Sequence, residues 1–375
     1  MPVFRFKSRR EKILSRGGFL LYTNPIFPIC YTSAMGKKRF FTKYFKFWAI
    51  SIAVLAGVVF VTPFLFAQYI HIKDRRTPPP FAEQFPVTVD PINKTIIEDE
   101  RVDAYFQNQN FDIQAVILFS AYKFEEILLR LVVSISQIME SKNLALVSSE
   151  KFVIISAGLR KEEVANAFAR VLGWNEKERK EFTSLQSGQG LPLVEGSFFP
   201  GIYAVKSGAR PLDVQDLMNK RFTNNVLSRY GTSTDQIVPL NVALTIASLI
   251  QRETIGTDDM RIISGIIWNR IFANMNLQLD ATLQYIKANK KRTAVWWPEV
   301  RPQDKFIKSP YNTYMYSGLP PTPIANPSVA AIIAALNPLK TACMFYFHDE
   351  DGNLHCTPTY KEHVALLKQY YGRGR

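Results

Sequence analysis

The longest uninterrupted apolar segment of the chain covers residues 47–70. Its sequence, FWAISIAVLAGVVFVTPFLFAQYI, has 24 residues and no charged side chain. As a helix with a rise of ~1.5 Å per residue it is long enough to cross the hydrocarbon core of a bilayer. A cleaved signal peptide is the alternative, but its apolar core is usually shorter and a small-x-small cleavage site would follow it. The pattern predicts an N-terminal transmembrane helix.

Farther along the chain, residues 71–97 are polar and contain five prolines, which predicts a stiff spacer. Apolar residues then recur with helical spacing, most strongly from Phe124 to Met139, and predict a helical segment over 98–150 that packs on the domain after it. Neither segment carries residues with an evident chemical role.

Two segments 50 residues apart share one pattern. The sequences FVIISAGLRKEEV (152–164) and IYAVKSGARPLDV (202–214) each predict a strand, a glycine turn and an amphipathic helix. Gly158 matches Gly208, and Arg160 matches Arg210. On the residues alone, a generic strand-helix unit of a mixed sheet explains this repeat.

From residue 233 the pattern becomes mainly helical. It predicts helices over Pro239–Arg252 and Asp258–Ala273, a β-hairpin near Cys343–Thr357 and a last helix over Tyr360–Tyr371. With the earlier strands, this makes an α+β protein. Cys343 and Cys356 flank a turn signal at Asp351-Gly352, so they are placed to pair across the hairpin in an oxidising compartment. The cysteine spacing does not fit a metal site.

The charge distribution predicts the orientation of the apolar span. The chain has a net charge of +14, and residues 1–46 contribute +10, because they contain eleven Lys and Arg and a single acidic residue, Glu11. Positive charge next to a span marks its cytoplasmic side. We expect a cytoplasmic basic tail over 1–46 and an extracytoplasmic C-terminal part, with Met35 as an alternative start before the nearest basic cluster. The basicity therefore indicates membrane topology and not nucleic-acid binding.

The segment 309–327, SPYNTYMYSGLPPTPIANP, is rich in both proline and tyrosine. Its prolines exclude a regular helix or a central strand. We expect an ordered loop that holds Tyr311, Asn312 and Tyr314 in place, offering flat apolar faces with hydroxyl and amide groups to a polyhydroxylated ligand. A proline-rich linker is the alternative, although linkers are seldom so aromatic.

Other motifs accompany this loop: EGSFFPGIY at 195–203, ASLIQRET at 247–254, LQLDATLQY at 277–285, and GNLH at 352–355 followed by Glu362-His363. In this order and spacing they resemble the YceG-like family of membrane-anchored endolytic murein (peptidoglycan) transglycosylases, from about Lys151 to the C-terminus. The resemblance implies a mixed α/β catalytic domain over 233–375. It also implies a LysM-like peptidoglycan-binding module over 151–232, where the strand-turn-helix repeat lies.

The resemblance places the catalytic acid at Glu253. Val242, Ile246 and Leu249 precede it on the same helix face. A carboxyl there either points outward at the helix end or lies in low-dielectric surroundings that raise its pKa, and the pattern leaves both open. The family often has a second acid at the position of Gln251. An amide cannot donate a proton to a leaving oxygen, so Glu253 is the only carboxyl of the motif able to act.

The implied reaction cleaves the β-1,4 bond between N-acetylmuramic acid and N-acetylglucosamine in nascent strands without water, leaving a 1,6-anhydro end and limiting strand length. It needs no cofactor or metal. The implied partners are peptidoglycan strands, the membrane and peptidoglycan synthases.

Further polar residues are expected to bind the substrate. Gln278 and Asp280 alternate with leucines and would share one side of an extended segment. Glu195 is either a substrate-binding acid or an exposed turn residue, and His355 and His363 are either site groups or structural.

Two other functions remain open: a non-catalytic, membrane-anchored peptidoglycan-binding protein, and a hydrolase whose second carboxylate would be Asp280 or Glu195.

Overall fold

The computed structural model describes residues 84–111, 150–184, 194–290 and 295–372. The predicted basic tail, the predicted transmembrane helix and most of the predicted helical segment lie outside these ranges. No helix within the described ranges is long and apolar enough to cross a membrane. Every described residue belongs to one compact unit of the chain.

The described chain begins with a small hairpin of β1 (Val89–Asp90) and β2 (Thr95–Ile96), followed by α1 (Glu100–Phe111). The spacer prediction is wrong for residues 84–97, because this segment packs on the core. Phe85 is 2% exposed, its N–H donates to the Arg229 carbonyl at 2.9 Å, and the Thr88 N–H donates to the Leu336 carbonyl at 3.1 Å. Proline fixes the backbone but does not keep it in solvent.

The repeat forms a strand-helix-helix-strand arrangement followed by one more helix. Its elements are β3 (Glu150–Ile155), α2 (Lys161–Leu172), α3 (Glu176–Ser184), β4 (Gly201–Lys206) and α4 (Pro211–Asn225). β3 and β4 pair antiparallel, with Phe152 opposite Ala204. The aromatic rings of Phe168, Phe182 and Tyr203 fill the space between the strands and the helices. The predicted strands and helices of both copies are confirmed.

Both turns of the repeat have the same backbone form. Gly158 and Gly208 have φ angles of +82° and +81°, which favour glycine. Arg160 and Arg210 are the N-cap residues of α2 and α4, and the N–H of each donates to an acidic side chain three residues later at 3.0 Å. The sequence repeat is therefore also a structural repeat.

After the short helix α5 (Thr232–Ile237), a second core is built mainly by four helices: α6 (Leu240–Glu253), α7 (Met260–Phe272), α8 (Asp280–Lys290) and α9 (Val329–Leu336). α6 packs against α7 and α9. The Trp268 Nε1–H donates to the Ala335 carbonyl at 2.9 Å, and a Cβ on Gly265 would collide with the Leu339 carbonyl oxygen. The close contact between α7 and the chain after α9 therefore depends on Gly265.

The chain ends in the predicted hairpin and helix: β5 (Phe345–His348), β6 (Leu354–Thr357) and α10 (Tyr360–Tyr371). β5 and β6 pair antiparallel, and Cys343 and Cys356 form a disulfide with their Cα atoms 5.7 Å apart. The mixed helix and strand content confirms the predicted α+β class.

Candidate active site

Glu253 is the last residue of α6, and its side chain is partly buried. Its Oε2 accepts a hydrogen bond from the Tyr346 hydroxyl at 2.8 Å, and its Oε1 lies 3.4 Å from the Ala281 backbone nitrogen. Burial raises the pKa of the Glu253 carboxyl against the lowering effect of both hydrogen bonds, and nearby Asp280 raises it too. Of the two alternatives from the sequence, these contacts favour the carboxyl in low-dielectric surroundings, although Glu253 is the last residue of its helix.

Asp280 begins α8 and is joined to the proline-rich loop. Its Oδ1 accepts a hydrogen bond from the Tyr314 hydroxyl at 2.6 Å. Burial, and after it the hydrogen bond to Asp280, raises the pKa of the Tyr314 hydroxyl, so this group stays protonated and donates. The structure thus brings Glu253, Asp280 and Tyr314 together from a helix end, a helix start and a loop.

The segment before Asp280 has the expected two-sided character. Leu277 and Leu279 are buried, whereas Gln278 and Asp280 are exposed. Gln278 has a φ of +51°, a conformation that costs a non-glycine residue about 1 kcal/mol. Its N–H donates to the Thr313 carbonyl at 3.0 Å, which holds the segment against the loop. A substrate-binding role of the exposed Gln278 amide stays a prediction.

Asn312 is fully buried inside the loop. Its Nδ2 donates to the carbonyls of Lys305 and Ile307 at 3.0 and 2.8 Å, and its Oδ1 accepts from the Tyr314 N–H at 2.9 Å. The expected role of Asn312 as a sugar contact therefore needs correction, because its polar atoms are used to shape the loop. The same bonds fix the backbone that carries Tyr314.

The two tyrosines predicted beside Asn312 are partly exposed. The Tyr311 hydroxyl is 2.7 Å from the Thr322 Oγ1, and its ring centroid is 5.0 Å from that of Tyr285. The Lys305 ammonium lies 4.8 Å from the centroid of the Tyr314 ring. The loop is thus ordered by its own contacts, as expected, and contact of Tyr311 and Tyr314 with a glycan stays a prediction.

Glu195 contacts a different part of the protein. It is 5% exposed, and its Oε1 accepts from the Asn326 Nδ2 and from the Lys161 N–H, each at 2.9 Å. Burial, and next the nearby Glu162, raises the pKa of this carboxyl to about 8. Glu195 is therefore not an exposed turn residue. Its predicted contact with substrate is not supported by this geometry, because the carboxyl faces the protein interior.

The remaining polar residues singled out from the sequence have structural partners. The Gln251 Oε1 accepts from the N–H of Ser328, the N-cap residue of α9, at 3.0 Å. The His355 Nε2 lies 2.7 Å from the Asp349 Oδ2, and the His363 ring stacks on Phe345. Of the two alternatives for these histidines, the contacts favour the structural one.

Two further residues near the site, Tyr346 and Arg270, were not predicted from the sequence. Alternation in β5 places Tyr346 on the face opposite Phe345 and Phe347. The one sequence signal for Tyr346 was that it carries a hydroxyl between two phenylalanines. The buried Arg270 Nε donates to the Met344 carbonyl at 2.7 Å, and its Nη1 donates to the Leu277 carbonyl. Arg270 therefore connects β5 to the segment that leads into Asp280.

The fold and the site together define an α+β protein with a candidate acid-base carboxyl that accepts a tyrosine hydroxyl and has an aspartate nearby. The model of the YceG-like family matches residues 100–369, and the chain belongs to this family. A crystal structure of a putative yceG-like protein from Listeria monocytogenes is similar to 62% of this chain and 80% of that chain, with a TM-score of 0.50 and 23% identity. This likeness supports the fold.

Two curated relatives match a shorter stretch. The chain is 33% identical over 179 residues to an endolytic murein transglycosylase of Bacillus subtilis (strain 168), which is 47% of this chain and 48% of the relative. It is 29% identical over 178 residues to an endolytic murein transglycosylase of Streptococcus pneumoniae serotype 2, covering 47% of this chain and 32% of the relative. The match thus spans about half or less of the length of these relatives.

Proposed function

We propose that the chain is an endolytic murein lytic transglycosylase, with Glu253 as its single acid-base residue. The observation that carries this proposal is the partly buried Glu253 carboxyl at the end of α6, which accepts the Tyr346 hydroxyl on Oε2 and whose pKa is raised by burial. A group with these properties holds its proton closer to neutral pH than an exposed glutamate does, as a general acid must. The activity named for the two relatives supports peptidoglycan as the substrate.

In the proposed reaction Glu253 acts twice. It first protonates the glycosidic oxygen, and the bond between that oxygen and C1 of N-acetylmuramic acid breaks. The resulting carboxylate then removes the proton of the same sugar's C6 hydroxyl as O6 bonds to C1. The proton returns to Glu253, the product ends in a 1,6-anhydro ring, and no water is consumed. The intramolecular nucleophile explains why one carboxyl suffices.

A hydrolase is the second candidate, and Asp280 is the observation that keeps it open. Its carboxylate is close enough to Glu253 to raise the pKa of that residue, so a second acid is available near the reacting bond. One oxygen of Asp280, Oδ1, accepts a hydrogen bond from the Tyr314 hydroxyl. Glu195 is a poor second acid, because Asn326 and Lys161 already bind one of its oxygens in the interior.

Mass analysis of products from purified glycan strands tests the proposal. We expect 1,6-anhydro ends from the full-length protein and at least ~10²-fold less product from Glu253→Gln, which keeps the shape but lacks the transferable proton. Glu299→Gln, at an exposed site, is the matched control and should cleave normally. Reducing ends would identify a hydrolase. Binding of strands without products would identify the non-catalytic rival.

The proposed architecture places this site outside the cytoplasm. It combines a cytoplasmic tail over 1–46, a membrane anchor over 47–70 and a LysM-like module over 151–232, with the catalytic domain over 233–375. The strand-helix-helix-strand order of β3, α2, α3 and β4 supports the LysM-like assignment. A reporter that is active only outside the cytoplasm, fused after Arg375, tests the topology. Activity of a cytoplasm-specific reporter at that position would contradict it.

A further inference from the structure

We propose that Tyr346 is a positioning residue that assigns the transferable proton of Glu253 to Oε1, the carboxyl oxygen that Tyr346 does not bind. This inference rests on the proposed function, because it concerns the same carboxyl. It adds a residue outside the motifs singled out from the sequence, on the C-terminal hairpin and 93 positions after Glu253.

The two oxygens of Glu253 have unequal surroundings. Oε2 accepts the Tyr346 hydroxyl at 2.8 Å, whereas Oε1 has the long 3.4 Å contact with the Ala281 N–H. The Tyr346 side chain is partly buried, so its phenol needs an acceptor for its proton, and Oε2 is the acceptor that the described residues offer to it. In a neutral carboxylic acid the carbonyl oxygen is the stronger acceptor, so Oε2, which accepts the shorter of the two bonds, takes that role. The proton that Glu253 donates is therefore carried by Oε1.

The framework around Tyr346 keeps this arrangement in place. Arg270 binds the carbonyl of Met344, two residues before Tyr346, and the carbonyl of Leu277, three residues before Asp280. One side chain, Arg270, therefore holds both strand β5 and the segment that leads into α8 next to Glu253. The backbone next to Tyr346 is thus held by this buried guanidinium.

Several charged or titratable groups act on Glu253 besides Tyr346. They are Asp280 from α8, Tyr314 from the loop, Arg270 from α7 and Arg252 from α6 itself. Tyr346 differs from these four groups because its hydroxyl donates a hydrogen bond to the carboxyl. As the proton leaves Oε1, negative charge develops on the carboxylate and strengthens this bond. Tyr346 thus stabilises the charged form of Glu253, and its removal makes Glu253 a weaker acid.

A pair of variants tests this role in the full-length protein. Tyr346→Phe removes the hydroxyl beside Glu253, and Tyr371→Phe removes a hydroxyl that donates to the His348 carbonyl in the same hairpin region at 2.5 Å. We expect Tyr346→Phe to cleave strands about 10-fold more slowly at the optimum pH. Its alkaline limb should move to higher pH, so that the deficit shrinks as pH rises. Tyr371→Phe should keep the wild-type pH profile.

A merely structural role predicts something else, namely an equal loss of rate at every pH. That result, or an unchanged rate, would overturn the inference. Carbon-13 NMR titration of labelled glutamates, with Glu253 assigned from Glu253→Gln, gives a readout independent of cleavage. The pKa of Glu253 should rise in Tyr346→Phe. If this rise occurs but the wild type makes no anhydro product, the proposed function fails and the link between Tyr346 and Glu253 stands. If the pKa of Glu253 is the same in Tyr346→Phe and in the wild type, the inference is wrong.

Discussion

The Asn326 side chain joins Glu195 to the proline-rich loop through a buried 2.9 Å hydrogen bond from its Nδ2. The same amide accepts the N–H groups of Gly196 and Phe198 at 2.9 and 2.8 Å and donates to the Leu159 carbonyl at 2.9 Å. One fully buried residue therefore fixes the strand-helix repeat against the loop that carries Tyr314. The geometry of the candidate site depends on this junction as well as on the residues around Glu253.

The Glu195 carboxyl should make stability depend on pH. Its pKa is about 8 in the folded protein against an ordinary value of 4.5, so between these values the folded chain holds a proton that the unfolded chain releases. The free energy of unfolding then falls as pH rises through this window, by up to ~1.4 kcal/mol per pH unit. Glu195→Gln cannot ionise and lacks this dependence. The melting temperature of Glu195→Gln minus that of the wild type should therefore increase as the pH is raised from 5 to 8.

Other titrating groups contribute equally to both proteins, so the difference in melting temperature isolates Glu195. The amide oxygen of the variant can still accept from Asn326 and Lys161. A difference that stays constant across the pH range would show that Glu195 is already ionised in the folded protein.

The two matching arginines of the repeat should differ greatly in their effect on stability. Arg160 is 1% exposed and lies over the Tyr285 ring at 4.2 Å, whereas the Arg210 side chain is 73% exposed. Arg160→Ala removes a buried cation that faces Glu162 and should cost about 3 kcal/mol or more. Arg210→Ala should cost less than about 1 kcal/mol.

Urea denaturation of the two variants checks this prediction. Both keep the backbone cap bond to the acidic residue three positions later, so the cap itself is controlled. Equal losses would mean that Arg160 contributes through the turn and not through its contact with Tyr285.

Local signals in the sequence were sufficient for the strands and helices named next, whereas Glu253 was singled out by the family resemblance, and its catalytic role stays a prediction. The terminal helix Tyr360–Tyr371 and both strand-turn-helix copies are found where periodicity and glycine placed them. Long-range contacts were not predictable in this way. Neither the burial of Asn312 nor the hydrogen bond between Tyr346 and Glu253 has a local pattern, because each depends on how distant segments pack. Proline content was misleading at residues 84–97 for the same reason.

The correction at residues 84–97 predicts a clear contrast between two substitutions. Phe85→Ala should lower stability by ~3–5 kcal/mol, because it leaves a cavity under a ring that is 2% exposed. Ile92 is 88% exposed in the same segment, and Ile92→Ala should change stability by less than about 0.5 kcal/mol. Melting temperatures of the two variants give the test. Small effects in both would restore the spacer interpretation.

Tyr314→Ala should weaken strand binding with a stability loss of only about 1 kcal/mol. The ring is partly exposed, and the change removes the hydroxyl that donates to Asp280. Tyr314→Phe keeps the ring and should bind strands nearly normally. Both are measured in the Glu253→Gln background, where strands are not consumed. Normal binding by a thermally destabilised Tyr314→Ala would show that the ring stabilises the core and does not contact glycan.

The position of Glu253 at the end of α6 has an electrostatic consequence. The aligned peptide dipoles of a 14-residue helix place about half a negative elementary charge at its C-terminus. A carboxylate formed there by proton donation is repelled by this end of the helix and by Asp280. In the proposed mechanism both fields favour recapture of a proton, and the sugar's C6 hydroxyl supplies one. Each cleavage would then restore the acid for the next strand without a proton from the solvent.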